Sequence, residues 1–116
     1  MPCDIGDARQ LVGQLDGATT VELLHYTKLE VHGRTFGYLW EPTCTIGLRQ
    51  TIAEQQALVG ERPDVFEVQF TAYGYGWVVA HLDGVERDEL AELVFEAWRL
   101  TAPADLLEER GERLPV

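Results

Sequence analysis

Apolar residues recur every three or four positions over residues 86–100, which predicts a helix with one buried side. That side consists of Leu90, Leu93, Val94, Ala97 and Trp98. Apolar and polar residues alternate instead over residues 65–70, as in a half-buried strand, while residues 77–82 are apolar on both faces, as in a central strand. The C-terminal half is therefore predicted to form two strands followed by a long helix.

Shorter patterns predict the other elements. Further helices are predicted over residues 7–15, 51–59 and 103–111, and further strands over residues 20–24, 28–31, 34–39 and 43–48. The two-residue segment His32-Gly33 predicts a hairpin between two of these strands, in which Phe36 and Tyr38 share a face. We therefore expect an α+β fold with a mostly antiparallel sheet of about five or six strands and helices packed on one face.

The chain of 116 residues is predicted to be a single domain over residues 1–116, with its core within about 7–107. Cys3 and Cys44 are far apart and are expected to be reduced and unpaired. No apolar run approaches the ~20 residues of a membrane span, and no secretory signal is present, so we expect a cytoplasmic protein without membrane contact.

The net charge of −11 is unevenly distributed. Residues 1–50 carry 4 basic and 6 acidic side chains, residues 51–82 carry 1 and 4, and residues 83–116 carry 4 and 10. A protein that neutralises DNA phosphates needs surplus cations on one face, and only the first half could provide them. The acidic residues themselves are explained by solvated helix faces that keep the protein soluble.

Five segments in this order are similar to one bacterial family. They are GRTFGYL (33–39), IGLR (46–49), PDVFE (63–67), GWVVAHLDGV (76–85) and ELAELVFEAWRLTAP (89–103). From about residue 7 to residue 107 the chain resembles the MmcQ/YjbR-like family. The resemblance implies a compact α+β domain, described as a double-wing arrangement, and a DNA-binding role, but no established reaction.

The sequence departs from the family pattern after Pro103. Members of the family often have lysine and other basic residues there, whereas this chain has Ala104, Asp105 and further acidic residues. Arg49 keeps a positive charge where the family tends to have lysine. The departure removes basic residues on which DNA binding would depend.

The candidate nucleic-acid-binding residues are Lys28, Arg34 and Arg49. The first two flank the predicted hairpin tip, where a β-wing with cationic side chains could contact phosphates. The alternative is ordinary surface charge, which we favour because scattered cations cannot offset −11 unless they are segregated in space.

Aromatic residues are dense for a small domain: Tyr26, Phe36, Tyr38, Trp40, Phe70, Tyr73, Tyr75 and Trp77. We expect Trp77 in the core, together with Phe66 and Trp98. Tyr73 and Tyr75 lie in a Gly-rich turn and are expected to be exposed; with His32 they are the candidate ligand- or partner-binding residues.

The sequence contains no constellation typical of an enzyme. His25, His32 and His81 do not form a metal-ligand set, and nothing in the sequence activates Cys44 as a nucleophile beside His81. We therefore expect a non-enzymatic protein without catalytic residues, metal or cofactor, as a monomer or weak dimer. The favoured hypothesis is an interaction module that binds a protein or a small ligand; the alternative is DNA binding through the hairpin wings.

Overall fold

The computed structural model describes residues 2–116, and its strands form one antiparallel sheet of six strands. The strands are β1 (Ala18–Glu22), β2 (Thr27–Val31), β3 (Arg34–Trp40), β4 (Thr45–Thr51), β5 (Phe66–Ala72) and β6 (Tyr75–His81). Their order across the sheet is β1-β2-β3-β4-β6-β5. The predicted α+β class and sheet are confirmed.

Helices cover one face of this sheet. They are α1 (Ile5–Gly13), α2 (Ile52–Glu61), α3 (Arg87–Arg99) and α4 (Ala104–Arg110), with a 3₁₀ turn at Leu82–Gly84. The predicted stripe of α3 is buried, and Trp98 is fully enclosed, with its indole N–H donating to the carbonyl of Asp16 at 2.9 Å. Burial of this apolar stripe against the sheet is the main stabilising contribution of α3.

The hairpin at His32-Gly33 forms as predicted. The side chains of its second strand, however, do not all lie on the predicted sides of the sheet. Leu29 pairs with Gly37 and Glu30 pairs with Thr35, so Phe36 is an extra residue in the ladder. Such a bulge interrupts the alternation of side chains. Phe36 consequently packs in the core with no exposed surface, while Tyr38 lies on the opposite face; the prediction that they share a face is wrong.

A second irregularity changes the face of Phe70. Val68 pairs with Val78 and Phe70 pairs with Trp77, which leaves Gln69 without a partner in the ladder. Unbroken alternation would put Phe66, Val68 and Phe70 on one side. The shift instead brings the Phe70 ring onto Trp77, on the side of the sheet without helices.

Helix boundaries are set by capping residues. α1 begins before the predicted Asp7, because Asp4 is the N-cap and forms a reciprocal capping box with Asp7. In α2 the side chain of Thr51 accepts from the amide of Glu54 at 3.1 Å, as the sequence indicates. Among the helices formed by residues 2–116, none has the length and apolar character needed to cross a membrane.

Candidate functional site

Strand alternation separates the two faces of β4. Gln50 points toward the helices, where its side chain donates to the carbonyl of Leu93 at 3.1 Å. Gly47 and Arg49 therefore belong to the opposite face, which no helix of residues 2–116 covers, and Arg49 is paired with Trp77 of β6. We call this side of the sheet the open face.

Five aromatic rings cross the open face in contact with one another. Ring centroids are 5.8 Å apart for Tyr26 and Tyr38, 5.9 Å for Tyr38 and Trp40, 5.7 Å for Tyr38 and Trp77, and 5.2 Å for Trp77 and Phe70. These separations are typical of favourable aromatic pairs. We call these five residues the aromatic row; Trp77 is 8% exposed because its neighbours cover it, whereas Phe70 is 38% exposed.

Gly47 makes room for part of this arrangement. A Cβ atom at this position would meet the Trp40 ring at 3.0 Å and would overlap the side-chain oxygen of Gln69. The absent side chain thus lets Trp40 and Gln69 lie directly over the sheet backbone.

Arg49 borders the aromatic row. Its guanidinium lies 3.8 Å from the centroid of the Tyr75 ring and donates to the hydroxyl of Thr101 at 3.1 Å. Its Nε is buried without a hydrogen-bond partner, and so is the side-chain oxygen of Gln69. A donor and an acceptor on the open face are therefore unused, which is uncommon for buried polar atoms.

A groove of about 510 Å³ runs along this surface. Its lining consists of Arg34, Thr35, Tyr38, Arg49, Phe70, Ala72, Tyr73 and Trp77. Two of the predicted nucleic-acid-binding residues and one predicted ligand-binding residue are therefore brought together. The third cation, Lys28, is paired in register with Tyr38 and shares its face.

Most cations of the protein are paired with carboxylates, but those of the open face are not. Arg9, Arg62, Arg87, Arg99 and Arg110 form ion pairs with Asp or Glu. Over residues 2–116, the arginines and lysines outside such pairs are Lys28, Arg34, Arg49 and Arg113. Three of these four lie on or beside the open face, and the lining of its groove contains no carboxylate. Strand alternation places Glu30 on the same face as Lys28, so the charge of Lys28 is partly offset.

The three predicted ligand-binding residues differ in their surroundings. His32 lies at the hairpin tip, where its ring approaches Gly17, and Leu106 of α4 adjoins the same glycine. Tyr75 is half-buried under Arg49, whereas Tyr73 is 97% exposed. His32 nevertheless remains exposed at the hairpin tip, and Tyr73 is the more accessible tyrosine of the turn.

The histidines and cysteines are dispersed. His25 lies in the β1–β2 loop and not in a strand, and His81 contacts the carboxylate of Glu67 at 2.6 Å. Burial raises the pKa of the Cys44 thiol, and nearby Asp83 and Asp4 act in the same direction. Within the described part of the chain, no three His, Cys, Asp or Glu side chains could together hold a metal ion.

Comparison with known proteins identifies the family. The YjbR family model matches residues 14–100, which is most of the chain. The chain belongs to the YjbR family. This YjbR domain is also similar in structure to DR2400 of Deinococcus radiodurans, a protein with a DUF419 domain, at a TM-score of 0.77 and 16% identity over 93% of this chain and 88% of that one. No curated protein matches the sequence.

The sequence pointed to Arg34, Arg49 and Tyr73 one by one. It included Tyr38, Phe70 and Trp77 only in a larger aromatic set and did not place them on one surface with the cations. Trp77 was assigned to the core, which agrees with its burial, yet neighbouring rings of the open face bury it. The density of aromatic residues was the signal in the sequence for this surface. Which face of the sheet each ring occupies follows only from the two register shifts.

Proposed function

We propose that this YjbR-family protein is a non-enzymatic binding module whose open face holds a ligand that combines a planar ring with a negatively charged group. The observation that carries the proposal is the groove in which the aromatic row meets Arg34 and Arg49. Ring and phosphate together are the chemistry of a nucleotide, either free or as a unit of a single strand.

The accessible rings supply the planar contacts. Tyr38 and Trp40 are half-buried and Phe70 is partly exposed, so a flat ring can stack on them without unfolding the sheet. Stacking of a base on an aromatic side chain contributes about 1–3 kcal/mol and tolerates different bases.

The unpaired cations supply the preference for negative charge. Arg34 is exposed and meets no carboxylate among residues 2–116, so its guanidinium is available for a phosphate. Lys28 on the same face adds a second point charge. In a protein of net charge −11, this local surplus selects where an anion binds.

Duplex DNA, which the family resemblance implies, ranks second. The clustering of Lys28, Arg34 and Arg49 on one side favours it. A wing that enters a groove needs its cations at the tip, however, and Lys28 lies four residues before His32, where it is paired with Tyr38. The overall acidity also opposes a long polyanion more than it opposes a short one.

Tryptophan fluorescence provides the test, because Trp40 and Trp77 belong to the aromatic row while Trp98 is enclosed under the helices. The protein is titrated with adenosine monophosphate, with a 12-nucleotide single strand and with the matching duplex, at 20 and 200 mM salt. We expect quenching by the single strand that weakens with salt, weaker quenching by the mononucleotide and the weakest response to the duplex.

Two variants and a control decide whether the open face is responsible. Phe70→Ala should weaken single-strand binding by about 5- to 150-fold, which corresponds to the ~1–3 kcal/mol of one stacked base. Arg34→Ala should weaken it at 20 mM salt, whereas Arg113→Ala, which removes the same charge elsewhere, should not. No quenching by any of the three ligands, or equal loss in all variants, would refute the proposal; tighter binding of the duplex would favour the second candidate.

A further inference from the structure

A second groove, on the helical side of the protein, lies between α2 and α3. It has a volume of about 400 Å³ and is lined by Gln50, Glu54, Leu58, Glu89, Glu92 and Glu96, with Thr51 and Leu93 completing it. It is separated from the open face by the sheet itself. Its lining has no cationic side chain, in contrast to the groove beside the aromatic row.

Two of its four carboxylates are neutralised within the protein and two are not. Glu89 pairs with Arg62, and Glu96 receives two hydrogen bonds from Arg99, at 2.6 and 2.9 Å. Glu54 on α2 and Glu92 on α3 are exposed, and neither meets a cation among residues 2–116. Uncompensated negative charge therefore remains on both walls of the groove.

Gln50 is the second indication of a ligand. It is 1% exposed, borders the groove and is fixed by donation from its Nε2 to the carbonyl of Leu93. Its Oε1 has no hydrogen-bond partner. A buried amide oxygen without a donor is costly, so a donor that enters from the groove and reaches Oε1 after a small movement of the Gln50 side chain would be stabilising.

The chemistry of the lining selects the class of ligand. Gln50 Oε1 and the carboxylates of Glu54 and Glu92 only accept hydrogen bonds, while Leu58 and Leu93 are apolar. An ammonium group donates three hydrogen bonds and accepts none, and an alkyl stem can lie along leucine side chains. We propose that this groove binds a linear alkylamine, with one ammonium group directed at Gln50 and a further one shared between the two walls.

Isothermal titration with spermidine and with 1,5-diaminopentane tests the proposal, together with amide chemical shifts of residues around the groove. N-acetyl-lysine methylamide presents the same ammonium group as a protein side chain would, and it distinguishes a free amine from a lysine of a partner. We expect shifts confined to α2, α3 and the end of β4, with the polyamine binding more tightly than the lysine derivative.

The double variant Glu54→Gln/Glu92→Gln should weaken spermidine binding at least tenfold. The double variant Glu108→Gln/Glu109→Gln removes the same charge from α4 and should leave binding unchanged, and Gln50→Met should weaken it without a change of charge. Equal losses in the two double variants, or Mg²⁺ at equal ionic strength displacing spermidine completely, would show simple counterion attraction and overturn the proposal. Absence of binding to the intact protein would overturn it as well.

Discussion

The guanidinium of Arg49 lies over the ring of Tyr75, 3.8 Å from its centroid, and also donates to the hydroxyl of Thr101. One side chain thereby connects β4 and β6 with the segment that follows α3. The stacking of a guanidinium on an aromatic ring and a hydrogen bond to a buried hydroxyl both favour the folded state. Arg49 therefore stabilises the domain as well as bordering the groove of the open face.

Replacement of Arg49 by methionine should lower the free energy of unfolding by about 1–2 kcal/mol, because both contacts are lost. Urea denaturation followed by circular dichroism measures the change. Arg34→Met removes the same charge from an exposed position and should alter stability by less than about 0.5 kcal/mol. Equal stability of the two variants would show that the contacts of Arg49 contribute nothing.

Replacement by alanine should affect mainly stability at Phe36 and mainly ligand binding at Tyr38. Phe36→Ala opens a cavity in the core and should cost about 3–5 kcal/mol of stability. Tyr38→Ala removes ring contacts on the open face and should cost about 1–2 kcal/mol while abolishing much of the fluorescence response to a single strand. Urea denaturation and the fluorescence titration of both variants test which side of β3 each ring occupies. If Tyr38→Ala were the more destabilising change, the assignment of faces in β3 would be wrong.

Alanine substitutions at two glycines should change the stability of the protein in opposite directions. A Cβ at Gly37 would lie 2.8 Å from the backbone oxygen of Gly47 and 2.9 Å from the Leu29 side chain, so Gly37→Ala should destabilise by about 1–3 kcal/mol. At Gly60 of α2 a Cβ meets nothing within 4 Å, and Gly60→Ala should stabilise by about 0.5–1 kcal/mol. The unfolding free energy of each variant, compared with that of the native chain, tests both predictions. A stabilising Gly37→Ala would contradict the close approach of β3 and β4.

Stability should fall as the solution is acidified from about pH 5 towards pH 3. The backbone amide of Asp4 and then the side chain of Arg87 hold the pKa of Asp7 below its usual range. Hydrogen bonds from Arg9 and Thr27 do the same for the pKa of Glu22. A carboxyl whose folded pKa is depressed contributes stability above its unfolded pKa and loses it as the pH falls through the folded pKa.

The melting temperature between pH 7 and pH 3 is the measurement. The double variant Asp7→Asn/Glu22→Gln should start lower at pH 7 and decline less steeply than the native chain, because the two linked protonations are absent. Glu108→Gln/Glu109→Gln should keep the native slope. Parallel curves for all three proteins would mean that these two carboxylates do not control the acid sensitivity.

The spacing of Leu90, Leu93, Val94, Ala97 and Trp98 identified α3 and its buried side, since a helix of this length has one regular period. Alternation also located the central strands and the hairpin. The faces of Phe36 and Phe70 could not be obtained in this way, because each follows from one extra residue in a ladder. Such a residue shifts the pairing without leaving a distinct local pattern.

The candidate site depended on those two shifts. Arg34, Arg49 and Tyr73 were recognised one by one from charge and turn composition, but their assembly beside Tyr38 and Trp77 required the register of four strands. The ion pairs could not be predicted from the sequence either. Arg62 and Glu89 are 27 positions apart, and only the folded chain shows which cations are neutralised.

The separation of charge across the sheet gives the molecule a permanent electric dipole. Most carboxylates belong to the helices and loops, whereas Lys28, Arg34 and Arg49 lie on or beside the open face, which also carries Glu30 and Glu67. In the field of an anionic surface the protein should rotate so that its sheet approaches first. At low salt, this protein with a pI near 4.5 should therefore be repelled less by a phosphate-bearing column than an acidic protein of uniform charge.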